Sequence, residues 1–425
     1  MKEEFLHYLW RLRRFDLKEM KTTEGESISI ISTGILNHDG GPDFMDARIR
    51  IGDTLWAGNV EIHINASDWS LHSHQKNRAY DNVILHVVYE EDRPVFHPTG
   101  ERIPCLELRR RIKPRVFKMY EKLMSSEKWI PCQFHFHEAP EITRKLWLDR
   151  LMVERLENRY ETIAAILESN KNNWEETFYQ CLAHGFGLKV NTEPFEQLAR
   201  NLPLLTLSKH RSQLFQIEAL LFGQAGFLGF DFAEDYPNKL KKEYSFLKEK
   251  YDLTPMSSAS WKFLRMRPAN FPSIRIAQLA MLIFQTTHLF SKIMAASKVE
   301  EIENALTVYT SSYWESHYVF DKPTEMKRRK GLGKPAIQLI IINIIAPLLF
   351  LYGKQKADEK YKEKAFKLLE QIKPEQNKII RQWQELGMKP ESAYQTQALL
   401  QLKNKYCDAK RCADCAIGNA IFGNL

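Results

Sequence analysis

The chain has 425 residues, 44% of them hydrophobic and 12% aromatic, which excludes a disordered chain and gives room for two or three packed domains. Its formal charge is +8, and the whole surplus lies late: residues 1–115 hold 17 Lys+Arg against 18 Asp+Glu, the remainder 44 against 35. Six cysteines in so long a chain exclude a disulfide scaffold. The opening MKEEFLHYLWRLRRFD, with charges among its apolar positions, is no secretory signal, so a cytoplasmic protein is expected.

Phe5, Tyr8, Leu9 and Leu12 recur at three-and-four spacing and predict a helix over residues 2–15. The period then changes. ISIISTGIL, ARIRIGDTLWAG, NVEIHI, VILHVVYEE and RIPCLELRR are short, rich in β-branched residues and separated by Gly, Asp or Pro, so each predicts a strand. Arg48 and Arg50 alternate with apolar neighbours, Gly52-Asp53 predicts a tight turn, and HSHQKNRAYDN (72–82) a loop or short helix. Residues 1–115 therefore predict an α+β domain, one helix followed by a mostly β unit. From residue 116 the strand signals nearly vanish. Pro140 opens a helical pattern, and similar faces recur at 205–222, 274–292, 300–309, 336–352, 358–371 and 391–405. Residues 116–425 predict a large all-α region with no fixed repeat period. The apolar run 336–353 contains Gln338, Asn343 and Pro347 and falls short of the roughly 18 to 20 clean apolar residues of a span, so it predicts a buried helix and no membrane segment.

Within the α+β part, GPDFMDARIRIGDTLWAGNVEIH (41–63) places Pro42-Asp43 before one strand and Glu61-Ile62-His63 within the next. Hydrolysis of a phosphodiester needs a divalent ion held by hard oxygen ligands and a nearby cation or proton donor. Two carboxylates on adjacent strands, with a third group two residues along the same strand face, supply that arrangement. This pattern resembles the PD-(D/E)xK nuclease superfamily, with helix, strand, hairpin, connector and strand in the same order. The resemblance implies a restriction-endonuclease-like fold in which Asp43 and Glu61 hold Mg²⁺ or Mn²⁺ with help from the Ile62 carbonyl. His63 stands where that superfamily has lysine, and a histidine exchanges protons near neutrality but carries no permanent charge. Glu3 or Glu4 on the opening helix would add an accessory acid, and Lys76, Arg78 or Tyr80 a migrated substitute for the lysine. A non-catalytic remnant or binding module, and acids merely solvated on a hairpin, remain open readings of the same residues.

His63, His72, His74 and His86 crowd the same region. A His-x-His pair beside a strand histidine suggests imidazole ligands for Zn²⁺ or Fe²⁺, whereas His86 alone reads as a sheet residue and His72 and His74 as loop residues. Near the end, YCDAKRCADC carries Cys407, Cys412 and Cys415 in nine positions. Three thiolates so close suit Zn²⁺ or an iron–sulfur cluster, with Cys132, His135 or His137 as the fourth ligand. The late basic surplus reads as ordinary solvated helix faces or as a surface for an anionic partner such as nucleic acid. MKRRKGLGKP (326–335) and RMRPANFPSIR (265–275) are candidate phosphate contacts, or else ordinary loop and helix-start residues. Across its length the chain also resembles a bacterial domain-of-unknown-function family, through GPDFMDARI, WAGNVEIHINASDWSLHSH, AYDNVILHVVY, RPANFPSIRIAQLA and YCDAKRCADCAIG. That likeness implies a cytoplasmic bacterial protein and assigns no activity. The expectation is a metal-dependent nuclease-like enzyme on DNA or RNA; the alternative is a non-catalytic nucleic-acid-binding or scaffold protein.

Overall fold

A computed structural model of the protein describes residues 1–37 and 39–423. The chain divides into two compact units, residues 1–151 with 399–425, and residues 152–398. The first unit takes in the last residues of the chain as well as the first because of α1 (Glu3–Arg11). Its Phe5, Leu6, Tyr8, Leu9 and Trp10 are all buried, so more than one face needs cover. One side meets the sheet. Another is covered by α3 (Pro114–Met124) and by the helix Ala416–Gly423: Phe5 stacks on Tyr120 at 4.1 Å between ring centroids, and Phe422 lies 5.3 Å from Tyr8. The end of the chain thus completes the first unit.

The described residues of that unit form a six-stranded mixed sheet of β1 (Ile28–Ser32), β2 (Ile35–Leu36), β3 (Phe44–Ile51), β4 (Thr54–Asn65), β5 (Val83–Glu90) and β6 (Cys105–Glu107), in the order β1-β3-β4-β5-β6 with β2 also on β3. The β1–β3 and β3–β4 pairs are antiparallel, and β4–β5 and β5–β6 are parallel. The parallel strand β5 is buried from Val83 to Val88, as expected of a strand covered on both faces. A bulge interrupts β3 between Phe44 and Ala47, with Asp46 in the left-handed region at φ +58°. It shifts the inward parity by one, so Phe44 and then Ala47, Ile49 and Ile51 all face the core. Between β4 and β5 the chain forms the short helix α2 (Asp68–Leu71) and turns at His74–Lys76 and Arg78–Tyr80. Trp69 and Tyr80 anchor this segment in one buried cluster with Ala66, Val83, Val88, Val95, Ile103 and Cys105.

The second unit is helical, with no strand among its described residues. The expected face 205–222 is two helices, Leu204–Ser208 and Leu214–Gln224, and 274–292 breaks before Leu289–Ala295, where His288 takes φ +54°. The apolar run 336–353 lies in the helix 334–356, and 72% of its most apolar window is buried within the protein, the behaviour of a core helix. Both basic segments weighed for phosphate contact turn charges inward. Arg275 is buried and donates to Asn270 (2.7 Å) and Gln278 (3.1 Å), and Lys330 donates to the carbonyls of Trp314 and Glu315. Arg329 lies over the Tyr309 ring at 4.3 Å.

Candidate metal centre

Asp43 enters β3 beside the middle of β4, since Phe44 pairs with Val60. The two carboxylates are held crosswise by backbone. The Asp43 N–H donates to Glu61 Oε2 (3.0 Å), and the Ile62 N–H donates to Asp43 Oδ2 (2.9 Å). These two backbone hydrogen bonds orient both side chains before any ligand arrives. Glu61 is 4% exposed. Burial first, and then the neighbouring Asp43 charge, push its carboxyl well above the ordinary range.

The second oxygen of Glu61 faces imidazoles. His74 Nε2 lies 3.2 Å and His63 Nε2 3.6 Å from Glu61 Oε1. His63 follows Glu61 by two residues and shares its strand face; its Nε2 also lies 3.2 Å from Nδ1 of His72. The ligand nitrogens of His63, His72 and His74 all lie within 4.8 Å of one another, grading from buried His63 through half-buried His74 to exposed His72. The aromatic anchors set His74: Tyr80 stacks on it at 3.9 Å and Trp69 meets it edge-on at 5.4 Å. Behind His63, on β5, the fully buried His86 approaches its Nδ1 with Nε2 at 2.9 Å. Burial, with neighbouring imidazoles second, lowers His63 to about 2, and burial likewise lowers His86 to about 3. Both rings are therefore neutral at physiological pH.

On α1, Glu3 and His7 are four residues apart and share a half-buried face. His7 Nε2 lies 3.2 Å from Asp43 Oδ2. Desolvation opposes a proton on His7, but the adjacent Asp43 carboxylate outweighs it and raises the group. Glu3 is raised by burial and then by Asp43. Glu4 is exposed and lies with Lys2, Tyr120 and Lys410 instead, because adjacent helix residues point about 100° apart. Of the two acids, Glu3 is the one near Asp43, and Glu4 lies away from it. Of the remaining sequence candidates, Tyr80 supports His74, while Lys76 is exposed on its turn. His72 and His74 are not independent loop residues, because the loop folds back over β4. His7 was missed by the sequence reading, although its spacing from Glu3 was there to use.

Two buried nitrogens in this group, Nε2 of His7 and Nε2 of His74, approach carboxylate oxygens yet have no aligned hydrogen-bond partner. Such orphans are expensive unless something else satisfies them. A tetrahedral ion at ligand distances near 2.1 Å has ligand–ligand edges of about 3.4 Å. The separations of 3.2 and 3.6 Å from Glu61 Oε1 to His74 and His63 Nε2, and of 3.2 Å from His63 Nε2 to His72 Nδ1, are close to that edge, while the group whose donors all lie within 4.8 Å of one another is His63, His72 and His74. His86 would then fix the tautomer of His63, the usual outer support of a ligating imidazole. Mixed imidazole and carboxylate donors suit zinc, manganese or iron better than magnesium, which prefers oxygen.

Four further residues singled out in the sequence, Cys132, Cys407, Cys412 and Cys415, come together elsewhere in the first unit. Comparison with curated proteins and with solved structures finds no match. Residues 3–378, which carry the opening helix, the sheet and every carboxylate and imidazole of this centre, match the family model described as "Protein of unknown function (DUF2851)", and the chain belongs to that family.

Proposed function

We propose that the protein is a metal-dependent hydrolase of phosphodiester bonds in DNA or RNA. The observation that carries this reading is the pair of backbone-clamped carboxylates, Asp43 and Glu61, with the nitrogens of His63 and His74 turned to the free oxygen of Glu61. In this reading Glu61, His63, His72 and His74 bind a divalent ion of the zinc, manganese or iron class, and Asp43 stands beside them as second carboxylate. The ion, when bound, supplies Lewis acidity and a nucleophilic water at neutral pH. The protein's own residues do the rest. Asp43 orients His7, which is placed to hand a proton to the departing oxygen. His72 and the solvent-facing Lys76 and Arg78 lie at the open side, where a phosphate backbone would approach. The resemblance of helix, hairpin and strand order to the PD-(D/E)xK nucleases and the late basic surplus favour nucleic acid as the substrate.

The test is cleavage of single- and double-stranded DNA and RNA by purified protein with Mn²⁺, Zn²⁺ or Mg²⁺, stopped by EDTA. Asp43→Asn and Glu61→Gln should each lower the rate by at least about 100-fold while leaving nucleic-acid binding within a few-fold of the parent. Carboxylate variants that cut as well as the parent would assign the activity elsewhere. A parent that binds nucleic acid and metal but cuts nothing would make it a binding module.

A further inference from the structure

Away from the carboxylate–histidine centre, the first unit gathers four cysteines from distant parts of the chain. Cys132 lies between α3 and α4 (Glu141–Ser169). Cys407 ends the π-helical turn Leu402–Cys407, and Cys412 and Cys415 lie in the loop leading to the helix Ala416–Gly423. All are free thiols, three buried and Cys407 partly so. They are electrostatic neighbours: Cys415, Cys132 and Cys412 all act on Cys407, Cys132 and Cys415 on Cys412, and Cys415 on Cys132.

Burial, first of all, pushes the four groups up toward the thiol, and polar N–H groups and lysines nearby act against it. The amides of Ile417 and Gly418, in the first turn of the terminal helix, and the Trp147 indole lie near the Cys415 sulfur and act to lower it. Gly418 passes so close to Cys412 that a Cβ would sit 2.1 Å from the Cys412 carbonyl oxygen. Only glycine lets the helix start there. Lys403 and Lys410 bring positive charge to Cys407 and Cys412, and Lys410 also donates to the Met124 carbonyl at 2.6 Å, tying this loop to the end of α3. A one-residue widening of a helix, as in the π turn, recurs at functional sites; here it delivers Cys407.

We propose that Cys132, Cys407, Cys412 and Cys415 hold one cubane iron–sulfur cluster of the [4Fe–4S] type, which fastens the end of the chain to the first unit. The spacing of the sulfurs selects this over zinc. Four thiolates on one zinc at about 2.3 Å stand about 3.8 Å apart. Among the described residues, the His, Cys, Asp or Glu ligand atoms grouped in threes or more within 4.8 Å of one another are those of His63, His72 and His74, so no three of the cysteine sulfurs stand that close together. A cubane core puts several atoms between its ligands and needs a wider frame. N–H groups near the Cys415 sulfur and nearby lysines offset the net negative charge of such a cluster.

The experiment is metal analysis of the whole protein purified without oxygen. Iron, acid-labile sulfide and zinc are measured, and the visible absorption and the EPR signal after dithionite reduction are recorded. About four iron and four sulfide per chain are expected, with a broad visible absorption that Cys132→Ser and Cys412→Ser lose and Cys181→Ala, in the second unit, keeps. Stoichiometric zinc without sulfide would overturn the proposal. So would folded parent protein that takes up no cluster when reconstituted with ferrous iron and sulfide, or a Cys412→Ser protein that retains the full complement. The parent's own iron and sulfide content decides the question even where a cysteine variant fails to fold.

Discussion

Neither nitrogen of His63 is free. Nδ1 meets His86, Nε2 meets His72, and the ring is 1% exposed. A proton added to this chain of rings would be buried beside other donors, so folding excludes it. The unfolded chain has no such constraint and binds protons at positions 63 and 86 below the ordinary histidine value of 6.5. Where the unfolded state holds more protons, stability falls as pH falls. Glu61 acts in the opposite sense, since its raised carboxyl keeps a proton in the folded state that the unfolded chain releases above 4.5. Glu3 and His7 are raised like Glu61, and His74 is lowered like His63 and His86, so the parent's slope is a balance of opposing groups and the part due to His86 is read by difference. Urea midpoints of the EDTA-treated parent and of His86→Gln at pH 6.5 and 5.5 measure it, and His86→Gln should lose less stability on acidification than the parent. A variant as sensitive to acid as the parent would mean that His86 is not held neutral.

The strands were legible because each carries period-two burial or a β-branched run between turn residues, and Asp43 and Glu61 could be paired because a hairpin fixes its own register. The rest of the centre depends on contacts the chain makes only once folded. The bulge at Asp46 leaves no local trace beyond the parity break from Phe44 to Ala47. Choosing between Glu3 and Glu4 required knowing which face of α1 meets β4. His72 and His74 could be assigned to the site only after Trp69 and Tyr80 were seen to bury and draw their loop over the sheet. The same packing gives a prediction for β4. A Cβ at Gly58 would meet Ile84 Cγ2 at 2.5 Å and the Asn82 carbonyl oxygen at 2.7 Å, where β4 begins to run alongside β5. Gly58→Ala should therefore destabilise the protein by about 1 to 3 kcal/mol and, by displacing β4 upstream of Glu61, weaken metal binding. Thermal melts and metal titration read the two effects separately. A substitution neutral in both would show that the strand can shift without disturbing the centre.

For the whole molecule, charge and chain order matter most. The residues after 115 carry nine more basic than acidic groups, and a protein that neutralises phosphates with lysine and arginine releases counterions. Affinity for DNA or RNA should accordingly fall at least about tenfold between 50 and 200 mM salt, measured by fluorescence anisotropy; affinity unchanged by salt would leave the surplus as solubility alone. Chain order is the other consequence. The first unit is split, with residues 152–398 lying between its two parts. During synthesis at about 5 to 20 residues per second, the second unit can fold as it emerges, while the first waits about 10 to 50 seconds for residue 399 onward. Until then Phe5 and Tyr8 lack the Phe422 that covers them. The apolar face of α1 that Phe422 covers stays exposed until residues 399 onward are made, and the two parts of the first unit close only across the 247 residues between them.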